Sequence, residues 1–196
     1  MSKSIDLRVL KTRKLIRDAF LKLIEEKGFE DITINDISDN AMINRSTFYL
    51  HYTDKYDLLD KTVDDVITKL MNLVEPEAHV QGENLELVKF KQNIQEILKT
   101  VEEDGNFYKA ILGEHGMIAV RKKLLNTLKQ KLEKSLPEQT SIKRELLLEL
   151  ASSVYLEAIT WWLNNGMEYS NSYMAEQITW FITMGASRSA GIKDFT

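Results

Sequence analysis

The stretch TINDISDNAMINRSTFYLHYTDKYDLL, from Thr33 to Leu59, carries start signals for three helices in close succession. Thr33 stands three residues before Asp36, the spacing of a capping box in which each side chain bonds the backbone N–H of the other residue. Asn44 is a favourable N-cap residue for a second helix, and Thr53 and Asp54 are the capping candidates for a third. The stretch therefore predicts two short helices joined by a tight turn, followed at once by a longer helix.

Only Met42 and Ile43 lie between the first two predicted helices. A connection this short forces the helices to cross steeply and to bury a common seam, as in a helix-turn-helix. The seam is defined by the apolar residues on the facing sides: Ile37, Ala41, Ile43, Phe48 and Tyr52.

The second helix presents hydrogen-bond donors on the side away from the seam residue Phe48. The outward set contains no carboxylate and consists of Arg45, Ser46, Thr47, Tyr49 and His51. A short, donor-rich helix held above a small core suits insertion into the major groove of DNA, where hydrogen bonds read the base edges. An ordinary surface helix between two turns is the alternative interpretation of the same pattern.

Three runs in this stretch resemble the DNA-binding domain of the TetR family of transcriptional regulators. They are Thr33-Ile-Asn-Asp-Ile, Asn44-Arg-Ser-Thr-Phe-Tyr-Leu-His-Tyr and Asp54-Lys-Tyr-Asp-Leu-Leu. The chain departs from the usual sequence motif of the family at two positions, where the family usually has glycine. These positions are Met42 in the turn and Ser46 in the recognition helix. Met42 indicates a turn that either avoids positive φ or accepts strain. Ser46 adds a hydroxyl at the groove, so a base preference does not carry over from relatives.

The C-terminal half has a resemblance of its own. Phe107-Tyr-Lys-Ala-Ile-Leu and Trp161-Trp-Leu-Asn-Asn-Gly-Met-Glu-Tyr-Ser, followed by Met174-Ala, are similar to the C-terminal domain of a TetR subgroup. That subgroup includes regulators of dihydroxyacetone-kinase operons. Together with the N-terminal runs, the resemblance covers most of the chain.

The resemblance implies which side chains contact DNA. Phosphate contacts are expected from Thr33, Tyr49, His51 and Lys55. Base contacts are expected from Asn44, Arg45, Ser46 and Thr47. The implied partner is a palindromic operator in double-stranded DNA, bound by a homodimer.

The composition of the 196 residues favours an all-α protein of about nine helices. Hydrophobic residues make up 43% of the chain, and both prolines, Pro76 and Pro137, fall between apolar-periodic stretches, where helices end. Because the chain has no cysteine, disulfides and thiolate metal sites are excluded. We find no signal-peptide pattern and no run near the ~18 apolar residues of a membrane span, so a soluble, cytoplasmic protein is expected.

The net charge of −4 is unfavourable for a DNA-binding protein, but the charge is unevenly distributed. Residues 1–22 hold seven basic side chains and two acidic ones, which leaves the rest of the chain strongly acidic. A basic end on an acidic body orients a protein toward phosphate. A solvated, lysine-rich helix face is the alternative explanation of the same charges.

The apolar periodicity predicts a first helix over Leu7 to Lys27, closed by Gly28, and a fourth over Asp54 to Val74. Residues 75–84 are predicted to form a polar linker, and residues 188–196 a flexible tail. Further helices are expected over 85–101, 107–112, 117–136, 141–165 and 172–187.

Two domains follow from this reading: a helix-turn-helix head over 4–52 and a regulatory and dimerisation body over 53–187. By resemblance, the helices over 141–165 and 172–187 pair with their copies in a four-helix dimer interface. The long fourth helix would connect the head to the body.

Trp161 and Trp162 are adjacent, so on a helix they point about 100° apart. One can face the core while the other faces a subunit interface or a cavity, and packing of both in the core is the alternative. An effector pocket is one hypothesis for the body, and a filled core is the other. The candidate pocket residues are Phe90, Ile94, Phe107, Tyr108, Met117, Trp161 and Trp162.

The sequence lacks catalytic and cofactor signatures: Gly113 and Gly116 do not complete a dinucleotide fingerprint, and the three histidines are far apart. We expect no enzyme activity, no cofactor and no metal site. The predicted function is that of a DNA-binding regulator, by resemblance a repressor released or modulated by a small-molecule effector or a partner protein. Two rivals remain: a helical protein whose helix-turn-helix binds protein, and a helical enzyme with an unrecognised carboxylate site.

Overall fold

The computed structural model describes residues 7–81, 84–113 and 118–191. Within these ranges the chain forms nine α-helices, a 3₁₀ turn and one pair of two-residue strands. The all-α prediction is confirmed. The helices are α1 (Leu7–Lys27), α2 (Ile34–Asn40), α3 (Arg45–Tyr49), α4 (Lys55–Leu73), α5 (Leu87–Glu103), α6 (Gly105–Leu112), α7 (Ile118–Glu133), α8 (Arg144–Asn164) and α9 (Asn171–Ser189).

The first helix spans the residues that the periodicity predicts. Gly28 follows it with a φ of 76°, and its N–H donates to the carbonyl of Ile24 at 2.9 Å. Glycine adopts this left-handed conformation without strain, so it ends the helix cleanly. Leu15 is an apolar residue of this helix but is exposed. The buried face of α1 consists of Ile16, Ala19, Phe20, Leu21, Leu23 and Ile24.

Internal contacts divide the chain into two compact units, one ending at Val66 and the other beginning at Ile67. The division falls inside α4, whereas the sequence-based boundary at 52/53 marks the end of the helix-turn-helix. In the first unit, the head, α1 packs on α2 and α2 packs on α3. Its largest fully buried side chains are Ile16, Phe20, Ile32, Ile37, Phe48 and Leu58.

In the second unit, the body, α5 packs along α9, α7 packs along α8, and α6 contacts α5, α7 and α8. The largest fully buried side chains of this core are Leu98, Phe107, Tyr108, Ile111, Leu156 and Trp162. The last helix, α9, is broken at Gly185, whose φ of 75° and ψ of 168° lie in a region that is essentially restricted to glycine. The helix therefore runs as two segments.

The segment predicted as a polar linker, 75–84, is more ordered than its composition indicates. Pro76–Ala78 forms a 3₁₀ turn, and Val80–Gln81 pairs antiparallel with Asn84–Leu85. The proline of the turn and the following His79 are buried. The linker prediction was wrong here because burial in this segment comes from contacts that local composition does not encode.

Helix boundaries in the body differ from the predicted ones by a few residues. The largest difference lies between α5 and α6, where Asp104 alone separates the two helices and Gly105 is already helical. The predicted start of α7 at Met117 lies outside the described residues. Of the predicted tail 188–196, the first two residues still belong to α9, and 192–196 lie outside the described ranges.

Within the described ranges, α8 is the one helix long and apolar enough to cross a membrane by length and composition, with a mean hydropathy of 1.3 over 18 residues. We expected no such segment from the sequence. The helix packs against α6, α7 and α9, and it buries the polar side chains of Ser152 and Thr160. Only a third of this window is buried, so much of its apolar surface is exposed in the single chain.

Candidate nucleic-acid interface and body cavity

The start of α2 is fixed by a complete capping box, as the sequence predicts. The Thr33 hydroxyl accepts a hydrogen bond from the backbone N–H of Asp36 at 3.2 Å, and the Asp36 carboxylate accepts one from the N–H of Thr33 at 2.8 Å. Lys27, at the end of α1, donates to the same carboxylate at 2.7 Å. The hydrogen bond from Lys27 is the main reason why the pKa of Asp36 lies well below the usual range for an aspartate. At neutral pH the two side chains therefore form a charged pair that joins α1 to α2.

The turn between α2 and α3 has a strained backbone at Met42. Of the two possibilities given by the sequence, a turn without positive φ and a strained turn, the structure shows the second. Met42 has a φ of 54°, and its side chain is 93% exposed. Its N–H donates to the carbonyl of Asp39 at 3.1 Å, and the N–H of Ile43 donates to the carbonyl of Ser38 at 3.0 Å. These two bonds form a Schellman motif, whose left-handed position normally favours glycine.

The third helix is anchored by Phe48, which is fully buried and lies 5.7 Å from the Tyr52 ring, centroid to centroid. Because this ring is buried, the opposite side of the short helix faces the surface. The predicted base-contacting residues Arg45 and Ser46 are exposed, and Thr47 is half-buried. The seam and the outward donor face therefore lie as the helical spacing predicts.

Arg45 and Tyr49 lie one helical turn apart on this exposed face. The Arg45 guanidinium donates a hydrogen bond to the Tyr49 hydroxyl at 3.1 Å and lies 5.6 Å from the centre of its ring. Asn44 occupies the N-cap position of α3, but among the described residues its side chain makes no capping hydrogen bond to the helix. Its amide is therefore not committed to the role that the sequence pattern assigns to it.

Two of the predicted phosphate-contacting residues already have partners within the head. The Lys55 ammonium donates to the carbonyls of Phe29 at 3.1 Å and Glu30 at 2.8 Å, and it lies 4.8 Å from the centre of the Phe29 ring. The Thr33 hydroxyl is occupied by the capping box, where it also donates to the Asp36 carboxylate at 2.7 Å. Lys55 ties the start of α4 to the loop after α1 and keeps one N–H for another acceptor.

Arg13 and Lys61 lie near His51. Neither was among the DNA-contacting residues predicted from the sequence. Burial of the imidazole and the charge of Arg13 lower the pKa of His51, so this side chain is neutral at pH 7. Lys61 bonds the carboxylate of Asp57 at 2.8 Å and lies 5.3 Å from the centre of the Tyr52 ring. The basic excess of residues 1–22 contained the signal for Arg13, but only the fold brings it to His51.

The body contains a small, partly open apolar cavity with a volume of about 60 Å³. Its wall is built by α4, α5, α7, α8 and α9, with the turn before α5. The apolar wall includes Leu70, Phe90, Ile94, Leu124, Leu128 and Leu156. Three polar side chains, His79, Asn93 and Tyr155, reach the wall.

The residues predicted to line an effector pocket lie in different parts of the body. Phe90 and Ile94 lie on the cavity wall. Phe107, Tyr108 and Trp162 do not; they are fully buried in the core beside it, because α6 and the end of α8 pack without leaving a gap there. Trp161 lines an external groove instead. Met117 lies outside the described residues.

The two tryptophans divide as adjacent helical positions predict. Trp162 is fully buried, and its indole N–H donates to the carbonyl of Tyr169 at 2.7 Å. Trp161 is 50% exposed and stacks on the Tyr169 ring at 6.1 Å between centroids. Tyr169 in turn stacks on Tyr173 at 5.1 Å, so three aromatic rings form a ladder on the surface.

The outer sides of α8 and α9 expose large apolar residues. They include Leu146, Leu150, Trp161, Trp180, Phe181 and Met184. Leu150 and Phe181 line one groove, and Phe181 lines a second groove with Trp161 and Trp180, so these four residues form a connected apolar surface. A contiguous apolar surface of this kind marks an interaction site in a soluble protein.

Comparisons with known protein families match both halves of the chain. Residues 16–62 match the family described as bacterial regulatory proteins, tetR family. Residues 89–184 match a family described as a transcriptional regulator C-terminal region, of the TetR type. The two matched regions contain the helix-turn-helix and most of the cavity wall.

Two curated relatives are similar over part of their length. An uncharacterised HTH-type transcriptional regulator of Bacillus subtilis, YxbF, is 44% identical over 62 residues, which are 31% of this chain and 16% of the relative. The dhaKLM operon transcriptional activator DhaS of Lactococcus lactis is 25% identical over 100 residues, 51% of this chain and 48% of the relative. The chain thus spans at most about half the length of these relatives in the alignments.

Solved structures share the fold over nearly the whole chain. A TetR transcriptional regulator from Streptococcus agalactiae superposes with a TM-score of 0.63 and 23% sequence identity. The superposition covers 91% of this chain and 96% of that protein. At this identity the likeness concerns the fold alone.

Proposed function

The chain belongs to the TetR family of transcriptional regulators, and from that premise we propose that it is a dimeric regulator whose head reads a palindromic operator. Regulators of this family bind DNA and act as dimers. The observation that carries the proposal is the exposed donor face of α3, held outward by the buried Phe48. This face has the size and the chemistry that a major groove accepts.

Base reading is assigned to the N-terminal half of α3. Arg45 can bond two acceptors of a guanine at once, and Asn44 can do the same with an adenine. Ser46 and Thr47 add hydroxyls that accept and donate. All four side chains come from one turn of helix, so they would read adjacent base pairs within one half-site.

Phosphate contacts are assigned to Tyr49, His51, Thr33 and Lys55. Because His51 is neutral at pH 7, it would contact a phosphate as a hydrogen-bond donor and not as a charge. Arg13 and Lys61 supply positive charge beside it. Lys55 would use its remaining N–H while it holds the head together.

Dimerisation is assigned to the exposed apolar sides of α8 and α9. Two copies that bring these faces together by a two-fold axis would bury them in a four-helix interface. The same axis would present two heads to a palindrome. Half-sites should then lie about one helical turn, roughly 34–36 Å, or a multiple of it apart.

Regulation is assigned to occupancy of the body cavity or to a partner protein. Regulators of this family are typically repressors modulated by ligands, and we place this chain with them. The relative DhaS is described as an operon activator, so the opposite sign is the alternative. The helix α4 begins with Lys55 in the head and carries Leu70 and Met71 on the cavity wall, so it is the element that would transmit the change.

The test is selection of bound sequences from a random DNA pool, followed by titration of the selected site at several salt concentrations. We expect an inverted repeat, bound by two chains, with an affinity that falls steeply as salt rises. Loss of binding in Arg45→Ala, with a folded head, would support α3 as the reading element. Failure to enrich any sequence would favour the interpretation of the helix-turn-helix as a protein-binding surface.

A further inference from the structure

The cavity of the body continues into a surface groove with a volume of about 600 Å³. The two spaces share part of their wall, namely Pro76, His79, Phe90, Leu132 and Tyr155. The groove runs on past Leu150 and Phe181 on α8 and α9. A long molecule bound in the cavity could therefore extend past the shared wall into the part of the groove lined by Val80, Leu85 and Leu136.

The walls of both spaces carry no acidic or basic side chain other than His79 among the described residues. An ionised carboxylate or ammonium inside the cavity would lose its hydration without gaining a partner. A neutral apolar group would lose little, and it would gain contacts with the leucine and isoleucine side chains there. The wall therefore disfavours the binding of charged ligands.

The polar groups of the cavity are few and mostly at the shared wall. Asn93 is already engaged, because its amide donates to the carbonyl of Leu73 at 2.6 Å. His79 and Tyr155 both pack against the Phe90 ring, with centroid distances of 5.0 Å and 6.5 Å. In the described part of the chain, no hydrogen bond or ion pair is found for the imidazole or for the phenol.

The backbone of His79 is held by two hydrogen bonds. Its N–H donates to the carbonyl of Pro76 at 3.2 Å, and its carbonyl accepts from the N–H of Glu86 at 2.8 Å. Burial lowers the pKa of His79 and raises that of Tyr155, so both side chains are neutral at pH 7. The hydrogen-bonding atoms of these two side chains are not fully enclosed by protein, so each can bond a hydroxyl or carbonyl group of a ligand.

We infer that this cavity and the adjoining groove together take an uncharged, elongated, mainly apolar molecule that carries one hydroxyl or carbonyl group, bound by His79 and Tyr155 at the shared wall, with its chain packed against the leucine-rich wall. As the effector site of the regulator, this inference rests on the function proposed above. The ligand class itself follows from the wall and from the two neutral polar groups.

The first test compares two probes of equal chain length, 1-decanol and decanoate, by isothermal titration calorimetry with the full chain at pH 7.5. We expect 1-decanol to bind and decanoate to bind at least about tenfold more weakly, because only the carboxylate must be desolvated as an ion. Equal or tighter binding of decanoate would overturn the inference. So would the absence of binding by 1-decanol.

The second test removes the polar atoms one at a time. Tyr155→Phe and His79→Phe keep the ring packing on Phe90 and should each weaken 1-decanol binding about three- to tenfold, the effect of one hydrogen bond. Tyr108→Phe is the matched control, because it removes the same hydroxyl from a buried tyrosine that does not line the cavity. Unchanged affinity in both wall variants would contradict the assignment of the head group.

A third variant, Ile97→Trp, fills the cavity from α5 and should abolish binding of 1-decanol whatever the head group contacts. Retained binding would place the probe elsewhere and overturn the inference. Operator affinity is measured separately with and without 1-decanol. Operator binding without ligand binding would refute the ligand class alone, whereas ligand binding with an unaffected operator complex would support the ligand class and refute the regulatory role of the cavity.

Discussion

The Arg45 guanidinium and the Tyr49 hydroxyl form a hydrogen bond of 3.1 Å across one turn of α3, on the side opposite the buried Phe48. The bond leaves other N–H groups of the guanidinium available, since arginine has five donors in a fixed fork. Tyr49 thereby limits the orientations of the Arg45 side chain in the protein without DNA. An orientation fixed in advance reduces the entropy lost on binding.

Removal of Arg45 should reduce sequence discrimination more than it reduces general DNA affinity. We expect Arg45→Ala to cost about 1–3 kcal/mol on the selected operator and much less on random DNA, because base contacts and not phosphate contacts are lost. Thr47→Ala should act in the same direction. Fluorescence anisotropy with both DNAs measures the difference, and equal losses on both would assign Arg45 to the backbone.

Tyr49→Phe tests whether the tyrosine positions Arg45 or contacts phosphate itself. The variant keeps the ring beneath the guanidinium but removes the hydroxyl acceptor. If Tyr49 orients Arg45, discrimination between operator and random DNA should fall about two- to fivefold, the effect of one exposed hydrogen bond. A uniform loss on both DNAs, with discrimination intact, would instead support the phosphate contact that we assigned from the sequence.

Lys55→Ala should have two measurable consequences. The head should lose about 1–3 kcal/mol of stability, since two charge-assisted bonds to the carbonyls of Phe29 and Glu30 disappear. If the remaining N–H also contacts a phosphate, the slope of log affinity against log salt should flatten by about one unit. Lys22→Ala, at an exposed position of α1, is the control, and a stability loss with an unchanged slope would leave Lys55 a purely structural role.

Met42→Gly should stabilise the head. A non-glycine residue at a left-handed position costs about 1–2 kcal/mol, and the greater freedom of glycine in the unfolded chain returns about 0.4–1 kcal/mol of that. A net gain of about 0.5–1 kcal/mol is expected, because the exposed side chain makes little contact that could be lost. Met42→Ala keeps the Cβ and should give no gain in the same denaturant titration; equal gains would show that the backbone strain is not the cause.

Leu150→Asp should convert the dimer to a folded monomer. Leu150 is 53% exposed in the single chain, so a carboxylate there does not disturb the core, but it would be buried without a partner between two copies. Val88→Asp, on the exposed side of α5, is the matched control and should remain dimeric. Sedimentation velocity at micromolar concentration distinguishes the species, and a monomeric parent protein would refute the proposed interface.

The link between α1 and α2 should weaken in acid. Because the folded-state pKa of Asp36 is depressed, its contribution to stability is present above the ordinary carboxyl pKa near 3.8 and is lost as the pH falls below that value. Asp36→Asn should therefore be less stable than the parent at pH 7, with a difference that narrows below about pH 4. Lys27→Met should show the same narrowing, since this lysine is the main cause of the shift. A constant difference between pH 7 and pH 3 would contradict the assignment.

Local signals in the sequence predicted the head well. The capping box of Thr33 and Asp36, the glycine that ends α1 and the outward face of α3 depend on residues within a few positions of one another. Such interactions form within one or two helical turns, so spacing alone reveals them. The split between Trp161 and Trp162 is predictable for the same reason.

The body cavity depends on contacts that spacing does not reveal. His79 follows a turn that the composition presents as a linker, and Tyr155 lies in a helix whose apolar residues cover nearly its whole circumference. Neither shows a pattern that points to a cavity, since the cavity wall is assembled from residues of five helices that are distant in the sequence. Phe107, Tyr108 and Trp162 have the residue types of a pocket, but the core fills the space around them.

The break at Gly185 has a consequence for how the chain tolerates random substitution. The position is exposed, and a Cβ built there would meet no atom within 4 Å, so crowding gives no reason to keep glycine. The backbone angles alone exclude L-residues. In a saturation mutagenesis library, position 185 should therefore be depleted of all nineteen substitutions, whereas an exposed polar position of α9 such as Ser172 accepts many. A D-alanine introduced there by chemical ligation should be accepted, because its mirror-image preference matches the bend.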